Sequence, residues 1–208
     1  YWASNLSDAE STFAIGSVNS LVGLLIAFSA PVLGALADAG TAKRKFLSSI
    51  AFLGIITTGY LFFIPESSWK LAVVFYGIGV IGFSGGNIFY DSLLVTVSKE
   101  KERNRVSALG FSLGYLGGGI LFLLNVAMFL YPSWFGLENQ IEAVLWSFLS
   151  VAVWWLIFSL PIYLNVKEPI QNASKKQINT VIDDAFENLL NTAKSIKKFK
   201  SAVIFLLA

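Results

Sequence analysis

Five long runs of the chain carry no charged side chain: residues 11–37, 46–65, 71–90, 106–137 and 143–166, which are 27, 20, 20, 32 and 24 residues long. A helix rises about 1.5 Å per residue, so about 20 apolar residues cross a hydrocarbon layer roughly 30 Å thick. Every run reaches that length. Strands of a membrane barrel would show segments of about ten residues with alternating polarity. These runs are continuously apolar, and the pattern predicts five transmembrane helices. The fourth is expected to end before Tyr131 and Pro132, where a proline between Tyr131 and Trp134 marks an exit into the membrane interface. The third is expected to continue past Asp91, because residues 92–98 are also uncharged. Pro31 and Pro161 are expected to bend the first and fifth helices.

The periodicity changes after the fifth run. Ile178, Ile182, Ala185, Phe186, Leu189, Ala193 and Ile196 recur at steps of three and four, with Asp183, Asp184, Glu187, Lys194, Lys197 and Lys198 mostly off that stripe. This is the signature of an amphipathic helix, acidic early and basic late as the helix dipole favours. It reads as a docked linker helix, with a regulatory or partner-binding role as the alternative. The organisation expected is a bundle of five spans over residues 1–166, a cytoplasmic linker over 167–200, and the start of another span at 201–208. The chain begins with Tyr1 and stops inside an apolar run, so it is expected to be a piece of a longer protein. Its first ten residues are polar and acidic, unlike the positive start of a signal peptide.

Composition agrees with this pattern. The chain is 55% hydrophobic and 13% charged, where ordinary soluble domains are about 25% charged. This points to an all-α integral membrane protein. There is no Cys and no His, which removes disulfides, thiolate chemistry, most zinc sites and every His-based triad. No catalytic residue, metal site or cofactor is expected. A net charge of +2 gives no basic field for nucleic acid; the expected surroundings are a lipid bilayer and a small-molecule substrate.

The distribution of cations says more than their sum. Lys43, Arg44 and Lys45 lie between the first two spans, and Lys99, Lys101, Arg103 and Arg105 between the third and fourth. Lys167, Lys175, Lys176, Lys194, Lys197, Lys198 and Lys200 follow the fifth, which leaves only Lys70 of the 15 for the other two loops. Alternate loops are thus basic, as they are when every run crosses and the basic loops are cytoplasmic.

Several residues inside the spans carry possible chemistry. Asp91 sits seven residues before Ser98, roughly 10 Å of helix from the loop. An acid at that depth is costly unless paired or hydrated. Two readings stand: it carries a coupling proton, or it pairs with Arg103 or Arg105. Asn87 lies four residues before Asp91 on the same face, with Tyr90 beside it. Asn19 and Asn125 are further intramembrane amides, read either as interhelical glue or as substrate contacts. A polar patch shared by the third and fourth spans is expected from Asn87, Tyr90, Asp91 and Asn125. Gly110, Gly114 and Gly118 repeat every four residues, as do Gly82 and Gly86. That spacing lets helix backbones approach closely; direct ligand contact is the other reading. Gly117, Gly118 and Gly119 weaken a helix by roughly 1 kcal/mol each and suggest a flexible point. In the first loop, Lys43 and Arg44 follow Asp38; the basic residues read as a topology anchor, and Asp38 as a group that caps a neighbouring helix or pairs with a cation across the bundle.

Two local patterns resemble a known family. Gly34, Asp38, Gly40, Lys43 and Arg44 are similar to the loop between helices two and three of the major facilitator superfamily, with Ala39 in place of the basic residue that follows the Asp there. Asn87, Ile88, Phe89, Tyr90, Asp91, Ser92, Leu93 and Leu94, then Arg103, Asn104, Arg105, Val106 and Ser107, then the stretch from Gly110 through Gly119 resemble the vacuole-effluxer-like branch. Val95 replaces the proline common there. The founding fungal members of that branch export amino acids from the vacuole during autophagy.

The resemblance implies an incomplete N-terminal bundle, comprising helices two to six and the start of seven, with the C-terminal half of the transporter as its missing partner. It also implies a secondary transporter with amino acids as the first substrate class, in a bacterial cell membrane rather than a vacuolar one. Gly34, Asp38, Lys43 and Arg44 then belong to a gating loop. The alternatives are a non-transporting membrane scaffold or sensor, and a membrane-embedded lipid-modifying enzyme, which the lack of His disfavours.

Overall fold

The computed structural model of the chain describes residues 2–3, 5–39, 43–166 and 187. The amphipathic segment expected over 174–200 and the apolar run at 201–208 lie outside the described residues, Glu187 apart. Five long helices follow one another: α1 (Asp8–Ala39), α2 (Lys43–Tyr60), α3 (Trp69–Val97), α4 (Arg103–Leu130) and α5 (Gln140–Asn165). There is no strand among the described residues. All five are long and apolar enough to cross a membrane. The third run indeed continues helical past Asp91, and α4 stops at Leu130 with Tyr131 as its C-cap. Helices α1 and α5 continue through Pro31 and Pro161. The triplet Gly117, Gly118 and Gly119 leaves α4 uninterrupted.

The helix ends have local causes. At α1 the Ser7 hydroxyl accepts from the Glu10 amide at 3.3 Å, and the Glu10 carboxylate accepts from the Ser7 amide at 2.9 Å. This reciprocal pair satisfies two backbone donors that the first turn leaves free. At α5 the Asn139 side chain accepts from the Glu142 amide at 2.9 Å. Between α4 and α5, Pro132–Phe135 form a 3-10 turn. Gly136 closes it with a φ of 73°, a left-handed conformation that glycine adopts without steric cost. Tyr131 and Trp134 stack there with centroids 4.4 Å apart.

Helices α2 and α3 form the centre, with α1 against α3 and α5 against α2. Two apolar clusters hold opposite ends of this centre. Ala37, Leu47, Phe89 and Leu93 are buried at the end that carries Lys43 and Arg44. Leu61, Ile64 and Ala72 are buried at the other, where the Trp2 indole donates to the Ile64 carbonyl at 3.3 Å. Between the clusters the buried seam of α3 is nearly all glycine: Gly77, Gly79, Gly82, Gly85 and Gly86. A Cβ on Gly82 would lie 2.6 Å from the Cα of Gly54 in α2, so the two backbones touch directly. The Trp155 ring of α5 also packs against Gly54. By contrast α4 contains no buried residue.

Candidate functional site

A recess of about 860 Å³ opens between α3, α4 and α5 towards the end that carries Lys43 and Arg44. Its volume lies within the range of small-molecule sites, roughly 300–1,000 Å³. Helix periodicity builds the α3 wall. Asn87, Tyr90, Asp91 and Leu94 stand at steps of three and four and therefore share one face. From α4 come Ser107, Phe111 and Tyr115, and from α5 Pro161 and Asn165. A smaller recess of about 320 Å³ adjoins it on the α2 side and shares Phe83, Asn87, Tyr90 and Gly114 with it.

Asp91 is the charged side chain in the lining of the larger recess. It is exposed on that open face, and among the described residues it forms no ion pair with Arg103 or Arg105. Tyr90 reaches across to α4: a Cβ on Gly110 would lie 3.5 Å from the Tyr90 hydroxyl. Asn87 is exposed towards both recesses.

The structure separates Asn125 from this group. Its side-chain oxygen accepts from the Ser150 hydroxyl of α5 at 2.9 Å. Asn125 lies 11 residues beyond Gly114, roughly 16 Å along α4, too far to line the recess. The expected patch of Asn87, Tyr90, Asp91 and Asn125 thus divides into a recess on α3 and a link between α4 and α5. Asn19 likewise has an interhelical partner, accepting from the Tyr76 hydroxyl at 3.1 Å.

The loop residues converge on the same end of the bundle. Gly34 is in α1, and a Cβ there would meet nothing within 4 Å among the described residues. Asp38 falls in the last turn of α1, with its side chain outside what is described. Lys43 donates to the Ser92 carbonyl of α3 at 3.4 Å. Arg44 donates to the carbonyls of Tyr163 and Val166 at 3.3 and 2.8 Å, at the C-terminus of α5. Carbonyls in a last helical turn lack intrahelical donors, and a cation there also meets the negative end of the helix dipole. These two cations therefore tie the start of α2 to α3 and α5.

The glycines divide as well. Gly82 lies in the α2–α3 contact, and Gly86 in ordinary contact, with a Cβ there 3.7 Å from Leu47. On α4, Gly114, Gly118 and Gly119 face no atom within 4 Å among the described residues, and Gly117 faces the Trp154 ring at 3.8 Å. Gly54 and Trp155 complete the tight crossing without any local pattern to announce them. Phe111 and Tyr115, four apart on α4, were detectable as one aromatic face of that helix.

Residues 7–208 match the family described as vacuole effluxer Atg22 like. The chain is 36% identical over 206 residues to an uncharacterized MFS-type transporter, YxiO, of Bacillus subtilis (strain 168). That alignment takes in 99% of this chain and 47% of the relative, so the chain spans about half the length of the curated relative it matches. No solved structure matches it.

Proposed function

This chain belongs to the vacuole effluxer Atg22-like family, and from that premise we propose that it forms the N-terminal half of a secondary transporter that moves a small solute by alternating access. The observation that carries this reading is the recess between α3, α4 and α5, with Asn87, Tyr90 and Asp91 on its wall. An ionisable group inside a span that faces a cavity is a functional residue by default. Secondary transporters bind between helices near the midplane and expose the site alternately by rocking one bundle against the other.

In this reading the end bearing Lys43 and Arg44 is cytoplasmic, and the recess opens towards the cytoplasm. A preceding helix and a second bundle supply the remaining walls, and residues 167–200 bridge the two bundles. Amino acids are the first substrate class, and Asp91 takes up the coupling proton. The reaction is translocation without covalent chemistry, in a bacterial cell membrane. The MFS-type name and bacterial source of the relative support that assignment.

The test is counterflow by the full-length protein in proteoliposomes. Labelled amino acids should accumulate against an internal excess of the same compound, and an imposed pH gradient should change the rate. No accumulation of any amino acid would remove that substrate class. Indifference to the gradient would remove the proton.

A further inference from the structure

The chemistry of the recess goes further than a generic small solute. We propose that Asp91, in a recess partly lined by aromatic rings, is an ammonium-binding subsite, so that this half of the protein selects substrates by a protonated amine. The inference rests on the transport reading above and names the substrate class of the same site.

Three observations carry it. Among the described residues, the charged side chain lining the recess is an acid, Asp91, and no Lys or Arg lines it. The nearby cations are directed elsewhere: Lys43 to the Ser92 carbonyl, Arg44 to the carbonyls that end α5. Arg103 and Arg105 open α4 and are not part of the lining. On this wall an anionic ligand would therefore meet a like charge.

The second observation is the aromatic content. Phe83, Tyr90, Phe111 and Tyr115 all line the recess. The negative faces of such rings attract cations, more strongly where water is excluded. The third is polar reach. Asn87 stands one turn from Asp91 on the same face, and its amide oxygen can accept a second ammonium hydrogen. The rest of the lining is apolar, suited to a hydrocarbon or aromatic tail on the amine.

One carboxylate neutralises one positive charge at a time. The ammonium and the coupling proton therefore exclude each other on Asp91, and the transport cycle exchanges one for the other. The other titratable side chains in the lining are the phenols of Tyr90 and Tyr115.

The test uses purified full-length protein and three related probes: phenylalaninamide, phenylalanine and N-acetylphenylalanine. The first carries the ammonium without the carboxylate, the third the carboxylate without the ammonium. The first two should raise the thermal midpoint and compete with each other, while N-acetylphenylalanine should do neither. Asp91→Asn should weaken phenylalaninamide binding tenfold or more, and Asp91→Glu should restore part of it. Asp91 is exposed on the recess wall, so the near-isosteric Asn variant should keep the wild-type midpoint without ligand.

N-acetylphenylalanine binding as well as the amide would overturn the subsite. So would unchanged amide affinity in Asp91→Asn, or failure of both amines to bind. Counterflow of other solutes that persists alongside such a result would leave the transport reading standing. Amine binding without counterflow of any solute would remove that reading and keep the subsite.

Discussion

Helices α3 and α4 carry the same small-residue spacing and use it in opposite ways. In α3, Gly82 lies against the backbone of Gly54 with no side chain between, inside a buried glycine seam. In α4, Gly110, Gly114 and Gly118 repeat at the same interval, yet no residue of that helix is buried. Their nearest described neighbours are the Tyr90 hydroxyl beside Gly110 and nothing within 4 Å of the other two. Glycine spacing shows where close approach is sterically permitted. Whether it happens depends on the facing helix having something equally small at the same level. Gly54 meets that need for Gly82, and Trp155 packs against Gly54 as well.

The largest expected effect tests this contrast directly. Gly82→Ala puts a methyl group 2.6 Å from the Gly54 Cα and 2.8 Å from its amide nitrogen. Neither backbone atom can rotate away, and overpacking of this kind costs about 1–3 kcal/mol. The thermal midpoint of the full-length protein in detergent should fall by several degrees. Gly118→Ala meets no described neighbour and gains up to about 1 kcal/mol in helix propensity, so its midpoint should hold or rise. Equal losses in the two variants would break the comparison, because the face of α4 would then be covered as tightly as the crossing.

A smaller effect is expected at the basic end of the tight region. Arg44→Ala removes the donors to the Tyr163 and Val166 carbonyls, a loss of about 1 kcal/mol for a cation at a helix C-terminus. Amide exchange in the last turn of α5 should speed up, while exchange around Gly82 stays slow. Loss of protection at both places would mean that the crossing depends on its basic end. The smallest effect should come from Ser150→Ala, which removes the bond to Asn125. Interhelical hydrogen bonds in membranes average about 0.6 kcal/mol, so the midpoint should move by no more than a degree or two. A larger shift would show α4 to be held by polar contact where apolar contact is sparse.

The spans were legible because a hydrocarbon layer imposes a length on each segment separately. Residues 92–98 announce the extension of α3 past Asp91 simply by lacking charge, and Pro132 announces the end of α4. The face shared by Asn87 and Asp91 was legible from their spacing. What escaped involves pairs on different helices. Nothing near Gly54 says that Gly82 will face it, since the two are 28 positions apart in the chain and meet only when α2 and α3 cross. The partner of Asn125 escaped for the same reason. The position of Asn125 in α4 aligned it with the glycines, but its partner, Ser150, lies in α5. The cations of the first loop were visible as charges. Their contacts with the carbonyls of Ser92, Tyr163 and Val166 depend on how α3 and α5 pack beside the start of α2.

The contact of Gly54 with Gly82 also has a mechanical consequence. With no side chain between them, the two backbones bear directly on each other, and close-packed contacts transmit strain. Asp91 stands nine residues beyond Gly82, a lever arm of about 13 Å. A tilt of about 10° around the crossing would sweep the carboxylate sideways by about 2 Å, enough to make or break a hydrogen bond.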